Sequence, residues 1–216
     1  MQTANVNLRT RGKQPRQTGF SMIEVLITVF VVAIGLLGIA SVQFISKRSN
    51  FEAVQRTTAT LLANDIIERM RANPGMLIEY AGSASSPIAP LGGPTATRTQ
   101  PAIDCTASVC DPFALSQYDL WEWETALNGL SEQISIGGAV TGGLNSPTAC
   151  ITTTGAAGAV DRSGRYDVAI AWRGGTQLQN PVISDCGQGS GKYNGEDGSA
   201  DTHRRVLIVS TFISAN

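Results

Sequence analysis

Histidine occurs once in the 216 residues, at position 203. A single imidazole excludes His-rich metal sites and the histidine-based acid, base and triad chemistry of most hydrolases. Charged residues make up only 15% of the chain, against roughly a quarter in ordinary soluble domains. The formal net charge of −1 leaves little to neutralise phosphates, which excludes a nucleic-acid binder held by backbone contacts. There is no internal repeat, no C-x-x-C redox pair and no G-x-S-x-G elbow, and neither proline nor glycine interrupts residues 39–73. The apolar fraction of 42% is too high for a mostly disordered chain and too low for a multi-span membrane protein.

Glycine is plentiful, at 23, and with 9 prolines it predicts a loop-rich body. The charge is unevenly spread. Residues 1–19 hold Arg9, Arg11, Lys13 and Arg16 and no acidic residue, whereas the rest of the chain has 12 Lys and Arg against 17 Asp and Glu. A short basic head before an acidic body reads as a targeting segment outside the fold. From Val25 to Ser46 the chain runs 22 residues without a charge. As a helix that run is about 33 Å long, enough to cross a hydrocarbon core of roughly 30 Å. The denser basic set precedes it, so the positive-inside rule keeps the N-terminus cytoplasmic and sends the body across the membrane.

Three readings compete for residues 1–46. A secretory signal cut after Ala40 would use the small-x-small pattern Gly38-Ile39-Ala40, and a plain uncleaved anchor would use the apolar run alone. Both leave Glu24 unexplained, since a carboxylate at the edge of an apolar span costs about 2.5–3.5 kcal/mol on insertion scales and needs a partner or a task. The third reading begins at the junction of head and run, where Gly19 meets Phe20 and Glu24 follows four residues later. Cleavage between Gly19 and Phe20 removes the basic leader and leaves the helix attached. The new amine of a neighbouring, axially offset helix could then pair with Glu24.

The residues Gly19-Phe20-Ser21-Met22-Ile23-Glu24-Val25-Leu26, followed by the apolar helix, closely resemble the N-terminus of the type IV prepilin family. The resemblance implies cleavage after Gly19 by a prepilin peptidase, N-methylation of Phe20, and a role for Glu24 in docking into a growing filament. Many major pilins carry a proline inside the apolar stretch; this chain has only Gly35 and Gly38 there. Three apart, those two glycines are not the small-xxx-small face of a helix dimer.

After Lys47 the pattern becomes amphipathic. Phe51, Val54, Thr58, Leu62, Ile66 and Met70 recur at helical spacing, which predicts one helix over about 20–73 that ends at Asn73-Pro74-Gly75. Residues 75–104 read as a long loop. Residues 112–129 read as a second helix, capped by Asp111, with Pro112 at its first position and Gly129 at its end. Strands are expected at Gln133–Val140, Ala149–Thr154, Arg165–Arg173 and Arg204–Ile213, with Tyr166, Val168, Ile170 and Trp172 on one face and Val206, Ile208, Ser210 and Phe212 on another. The expected fold is therefore α+β and type IV pilin-like: a leader at 1–19, a helix at 20–74 that spans the membrane over 20–46, and a periplasmic head at 75–216 with a roughly four-stranded antiparallel sheet and a second short helix.

Cys105, Cys110, Cys150 and Cys186 allow three pairings in an oxidising compartment. Proximity of the first two, and the strand lying between the second two, favour 105–110 with 150–186. C-x4-C without a second close pair is poor zinc spacing. Gly189-Ser190-Gly191-Lys192 only hints at a phosphate loop, because Tyr193 stands where Ser or Thr is needed. Glu196, Asp197 and Asp201 miss the EF-hand spacing. Tyr118, Trp121 and Trp123 read as packing before they read as a ligand platform, and His203 reads as a surface or edge residue.

The resemblance extends, through ANDIIERMRANP, YDLWEWETAL, YDVAIAWRG and RRVLIVSTF, to the minor pilins that modify the pilus. It implies a non-enzymatic, cofactor-free subunit that primes or assembles a type IV pilus for motility, adhesion or DNA uptake. Its implied partners are the prepilin peptidase, other minor pilins, the major pilin, an inner-membrane assembly platform and a tip adhesin. Its implied place is the bacterial inner membrane, then the pilus tip. A minor pseudopilin of a type II secretion system, or a membrane-anchored periplasmic binding module built on Trp121 and Trp123, are the alternatives.

Overall fold

The computed structural model describes residues 19–83, 85–93, 98–130, 142–154 and 163–214. The chain divides after Ser46 into two compact units. Helix α1, Met22–Ala72, contributes to both. Within the first unit its apolar residues are exposed on every side, and none of its most apolar window is buried. The helix is long and apolar enough there to cross a membrane.

The second unit begins at Lys47 and holds the core. Asn73 ends α1: its N–H is the last to reach back, to the Arg69 carbonyl, while its side-chain amide donates to the Pro112 carbonyl. Pro74–Met76 forms a 3-10 turn, and helix α2, Leu77–Ala81, follows. Strands β1, Gly82–Ser83, and β2, Ser86–Pro87, pair as a small antiparallel ladder. The expected long loop over 75–104 is thus partly ordered. LIEYA is too short to show a period, yet Leu77, Tyr80 and Ala81 are buried. Leu91 then bridges to Ala149, tying this segment to the main sheet.

Helix α3 spans Pro112–Leu127, with the Asp111 carboxylate accepting from the Ala114 N–H at 2.8 Å. Gly129 follows in the left-handed region at φ 70°. A side chain there would strike the backbone of Gly142, so glycine is required twice over.

Strands β3 (Thr148–Thr154), β4 (Gly164–Arg173) and β5 (Arg204–Ile213) form an antiparallel sheet in chain order. The strand expected at Gln133–Val140 lies outside the described residues. The register sets Tyr166, Val168, Ile170 and Trp172 opposite Thr211, Val209, Leu207 and Arg205. The first four are buried in the core with Ala59, Ala63, Ile66 and Met70 of α1. The β5 face toward the core is therefore the odd-numbered one, with Leu207 and Val209 packed against it. The alternating set Val206, Ile208, Ser210 and Phe212 turns the other way, and Phe212 is 68% exposed. Both faces of β5 carry aliphatic residues, so alternation alone could not choose between them.

The stripe on α1 is also rotated from the expected one. Gln55, Ala59, Ala63, Ile66, Ile67 and Met70 are buried, while Phe51 and Val54 are exposed. Small alanines let the helix backbone approach the sheet closely, and a hydrophobicity count undervalues them. Gln55 closes the end of that stripe by accepting from the Asn145 N–H at 2.9 Å.

Candidate functional site

The candidate processing and assembly residues lie at the start of α1. Gly19 and Phe20 lie outside the helix and are exposed. A Cβ at Gly19 would meet no atom within 4 Å, so nothing in the fold itself demands glycine there. Ser21 opens the helix. Its carbonyl accepts from the N–H groups of Glu24 and Val25, and its hydroxyl accepts from the Ile23 N–H at 3.4 Å. Glu24 falls in the first turn, where the helix dipole favours an anion. It is exposed and forms no ion pair among the described residues. The Gly19–Phe20 bond is therefore accessible in non-helical backbone, one residue before a capped helix whose first carboxylate forms no ion pair among the described residues.

The aromatic residues of α3 do not form a platform. Trp123 is fully buried and its indole N–H donates to the Leu62 carbonyl of α1 at 2.8 Å. Trp121 stacks at a tilt on Tyr118, with ring centres 5.3 Å apart. Beside them Arg69 bonds Asp65, Asp119 and Glu122, while Tyr80 donates to the other oxygen of Asp119. Burial works against the Arg69 charge, but the carboxylates, Glu122 foremost, outweigh it and raise its pKa; burial and Asp119 raise that of Tyr80. This network joins α1, α2 and α3. Glu124, also fully buried, accepts from the backbone N–H groups of Gly92 and Arg98 and holds that loop on α3.

Cys105 is bonded to Cys110 and Cys150 to Cys186. The first bond closes an exposed loop that Asp104 also turns by accepting from Thr106, which lowers the Asp104 pKa. The second ties β3 to the long connection between β4 and β5. That connection lies over the sheet face opposite α1. There Tyr193 is buried and donates to the Ser146 carbonyl and the Thr148 hydroxyl, and burial pushes its pKa up to about 12.

The weaker motifs do not assemble. The Gly189 N–H, where a phosphate loop would grip its anion, instead donates to the buried Asp201 carboxylate. Lys192 reaches Thr148, and burial lowers its pKa. Asp197 is occupied by the N–H and hydroxyl of Ser199, which lower its pKa. Glu196 is exposed. Among the described residues no three His, Cys, Asp or Glu side chains are placed to hold a metal. His203 is buried rather than on the surface, with Nδ1 at 2.9 Å from the Gly174 carbonyl.

Sequence reading missed Arg204. It is 1% exposed and has no carboxylate partner among the described residues. Its guanidinium donates to Asn180 Oδ1 and to the carbonyls of Pro181, Ser184 and Cys186. The only signal in the sequence was a doubled arginine before a strand, which looks like any solvated pair.

A long N-terminal helix on a head of antiparallel strands and short helices is an α+β, type IV pilin-like fold. A family model for the prokaryotic N-terminal methylation motif matches residues 14–40, and one for type IV pilin Tt1218 matches residues 41–121. No curated protein and no solved structure matches the chain. The two matched segments abut, covering α1 and most of α3 and stopping before the sheet. Together they support a type IV prepilin.

Proposed function

We propose that the chain is a type IV prepilin of the minor, pilus-modification (PilV) type. A prepilin peptidase cuts between Gly19 and Phe20 and methylates the new amine of Phe20. The mature subunit sits in the inner membrane through residues 20–46, with its body in the periplasm. Glu24 then pairs with the N-terminus of a neighbouring subunit as both leave the membrane. The chain works with other minor pilins, the major pilin and the assembly platform to prime a pilus, near its tip and below an adhesin. Its part is structural: it supplies no acid, base or nucleophile set.

One observation carries this reading. The methylation-motif match spans the exposed Gly19–Phe20 bond and the exposed Glu24, and it runs directly into a pilin match along the same helix. An uncleaved anchor has no use for a glycine that the fold leaves free to vary. The test is the mass and first residue of the protein purified from its native membrane. A mature chain starting at Phe20 with one added methyl group supports the proposal. A chain starting at Ser41, or an intact Met1, overturns it.

A further inference from the structure

β5 is the last strand of its sheet, and its outer edge is open. The pair Gly174 and His203 continues the β4–β5 register, and the Gly174 N–H donates to the His203 carbonyl. Bonded pairs alternate along an antiparallel ladder, so Arg205, Leu207, Val209 and Thr211 give their backbone groups to β4. The N–H and C=O groups of Val206, Ile208, Ser210 and Phe212 point the other way and have no partner among the described residues. This open edge is about 20 Å long, enough for an ordinary strand to add to it. Exposed edges are commonly guarded by a lysine, a proline or a bulge. The sequence VLIVSTF over 206–212 holds neither residue, and its register is unbroken.

A groove of the same body opens at the start of this edge. Ala53 and Arg56 of α1, Trp172 of β4, Leu178 and Val206 of β5 line it. Arg56 is exposed and forms no ion pair among the described residues. The other bases along the edge are matched. Arg205 lies 3.6 Å from Glu52; Arg71, which reaches Thr211, is paired with Glu68; Arg165, which reaches Ser210, is paired with Asp167. The edge therefore presents a row of backbone donors and acceptors with one uncompensated positive charge at its head. Every residue involved belongs to the second compact unit.

We infer that the outer edge of β5 is a docking site for an extended, acidic segment of a second protein, which adds a strand to the sheet and sets a carboxylate against Arg56. Only an extended backbone matches alternating N–H and C=O groups at strand spacing, and those bonds supply the affinity. Ile208 and Phe212, on the face away from α1, offer apolar neighbours to alternate side chains of the incoming strand. Arg56 supplies the preference for acid. A second copy of this chain fits less well: two β5 edges paired together would offer Arg56 only carboxylates that already hold a base of their own.

The test uses the full-length chain in phosphatidylcholine nanodiscs and three fluorescein-labelled peptides, TVTVTVDE, TVTVTVNQ and TPTPTPDE. The first should bind, the amide form about three- to fivefold more weakly, and the proline form not at all. S210P removes one outward N–H and spares the ladder to β4, so it should abolish binding while the body stays folded by its Tm. R56Q should make the acid and amide peptides bind alike. In the unaltered chain, hydrogen exchange at Val206, Ile208 and Phe212 should be fast and should slow when TVTVTVDE is added, whereas Leu207 and Val209 are protected throughout. The inference is overturned by no binding of TVTVTVDE, by equal binding of the amide or proline peptide, by binding that survives S210P, or by exchange that the peptide leaves unchanged. Dimerisation of the chain alone that S210P abolishes gives the edge to a second copy and overturns it too.

Discussion

Replacing each disulfide by a pair of alanines should cost different amounts, because the two bonds close loops of very different length. Cys150 and Cys186 are 36 residues apart, Cys105 and Cys110 only 5. Loop-closure entropy in the unfolded chain then assigns about 4 kcal/mol to the first and about 2 kcal/mol to the second. The structure widens the gap. Cys186 is buried and its carbonyl is one of the acceptors of Arg204, so releasing it loosens the same loop that Arg204 holds. The 105–110 loop is exposed and retains its Asp104 turn without the bond.

The assay is thermal unfolding of the body from Lys47 onward, the second compact unit, with urea unfolding for the m-value, each followed by tryptophan fluorescence. Trp123 and Trp172, both buried, report its cooperative loss. At about 2–4 °C per kcal/mol for a body of this size, C150A/C186A should lower Tm by roughly 8–16 °C and C105A/C110A by about half of that. The m-value should rise more for the first pair, since its unfolded chain gains more freedom to expand. Equal losses, or a larger loss for C105A/C110A, would refute the argument that loop length and burial set the order.

Three further outcomes can be checked. Gly19→Val should abolish processing, read as retention of the full precursor mass, while leaving the Tm of the body unchanged, because a side chain at 19 touches nothing. Arg204→Met should cost on the order of 3 kcal/mol by stranding several loop acceptors, against less than about 0.5 kcal/mol for the exposed Arg165→Met, both by urea titration. For pH, the folded chain holds the Tyr193 proton more tightly than the unfolded chain does. That contribution is complete below the unfolded pKa of 10.0 and is lost as pH rises through about 12. Unfolding free energy measured across that window should fall, and Tyr193→Phe should flatten the fall without removing it, because Tyr80 shifts in the same direction.

The helical half of the fold was legible because its signals are local. Sixteen residues between Asp111 and Asn128 announce their own cap, first proline and terminating turn, and the long reach of α1 needed only the absence of breakers. What was illegible depends on a partner. The buried stripe of α1 could not be fixed from sequence because Ala59 and Ala63 earn their place only against a sheet. The inward face of β5 could not be read from alternation because Arg205 and Thr211 occupy core-facing register positions, where they pair with Glu52 and Arg71 at the rim of α1. For the site, Gly19, Phe20 and Glu24 are proposed as a motif read by outside machinery, and such a motif has to be present in the primary sequence. Arg204 acts only through acceptors some twenty residues away, in a loop with no pattern of its own.

Three of the buried charges of the body share one use. Glu124 takes two backbone N–H groups of the loop on α3, Asp201 takes that of Gly189, and Arg204 takes three carbonyls of the β4–β5 connection. None of these bonds joins one strand or helix to another. Helices and strands satisfy their own backbone, but an irregular segment cannot, and each buried charge supplies the donors or acceptors that such a segment lacks. A chain with only 15% charged residues has placed three of them inside to fix loops. In the role proposed above, where the helix is committed to a filament, the loops are what remains to distinguish the subunit from its neighbours. Loss of a loop-holding charge should therefore alter contacts at the surface before it prevents the fold, whereas loss of the Arg69 network, which joins α1 to α3, should do the reverse.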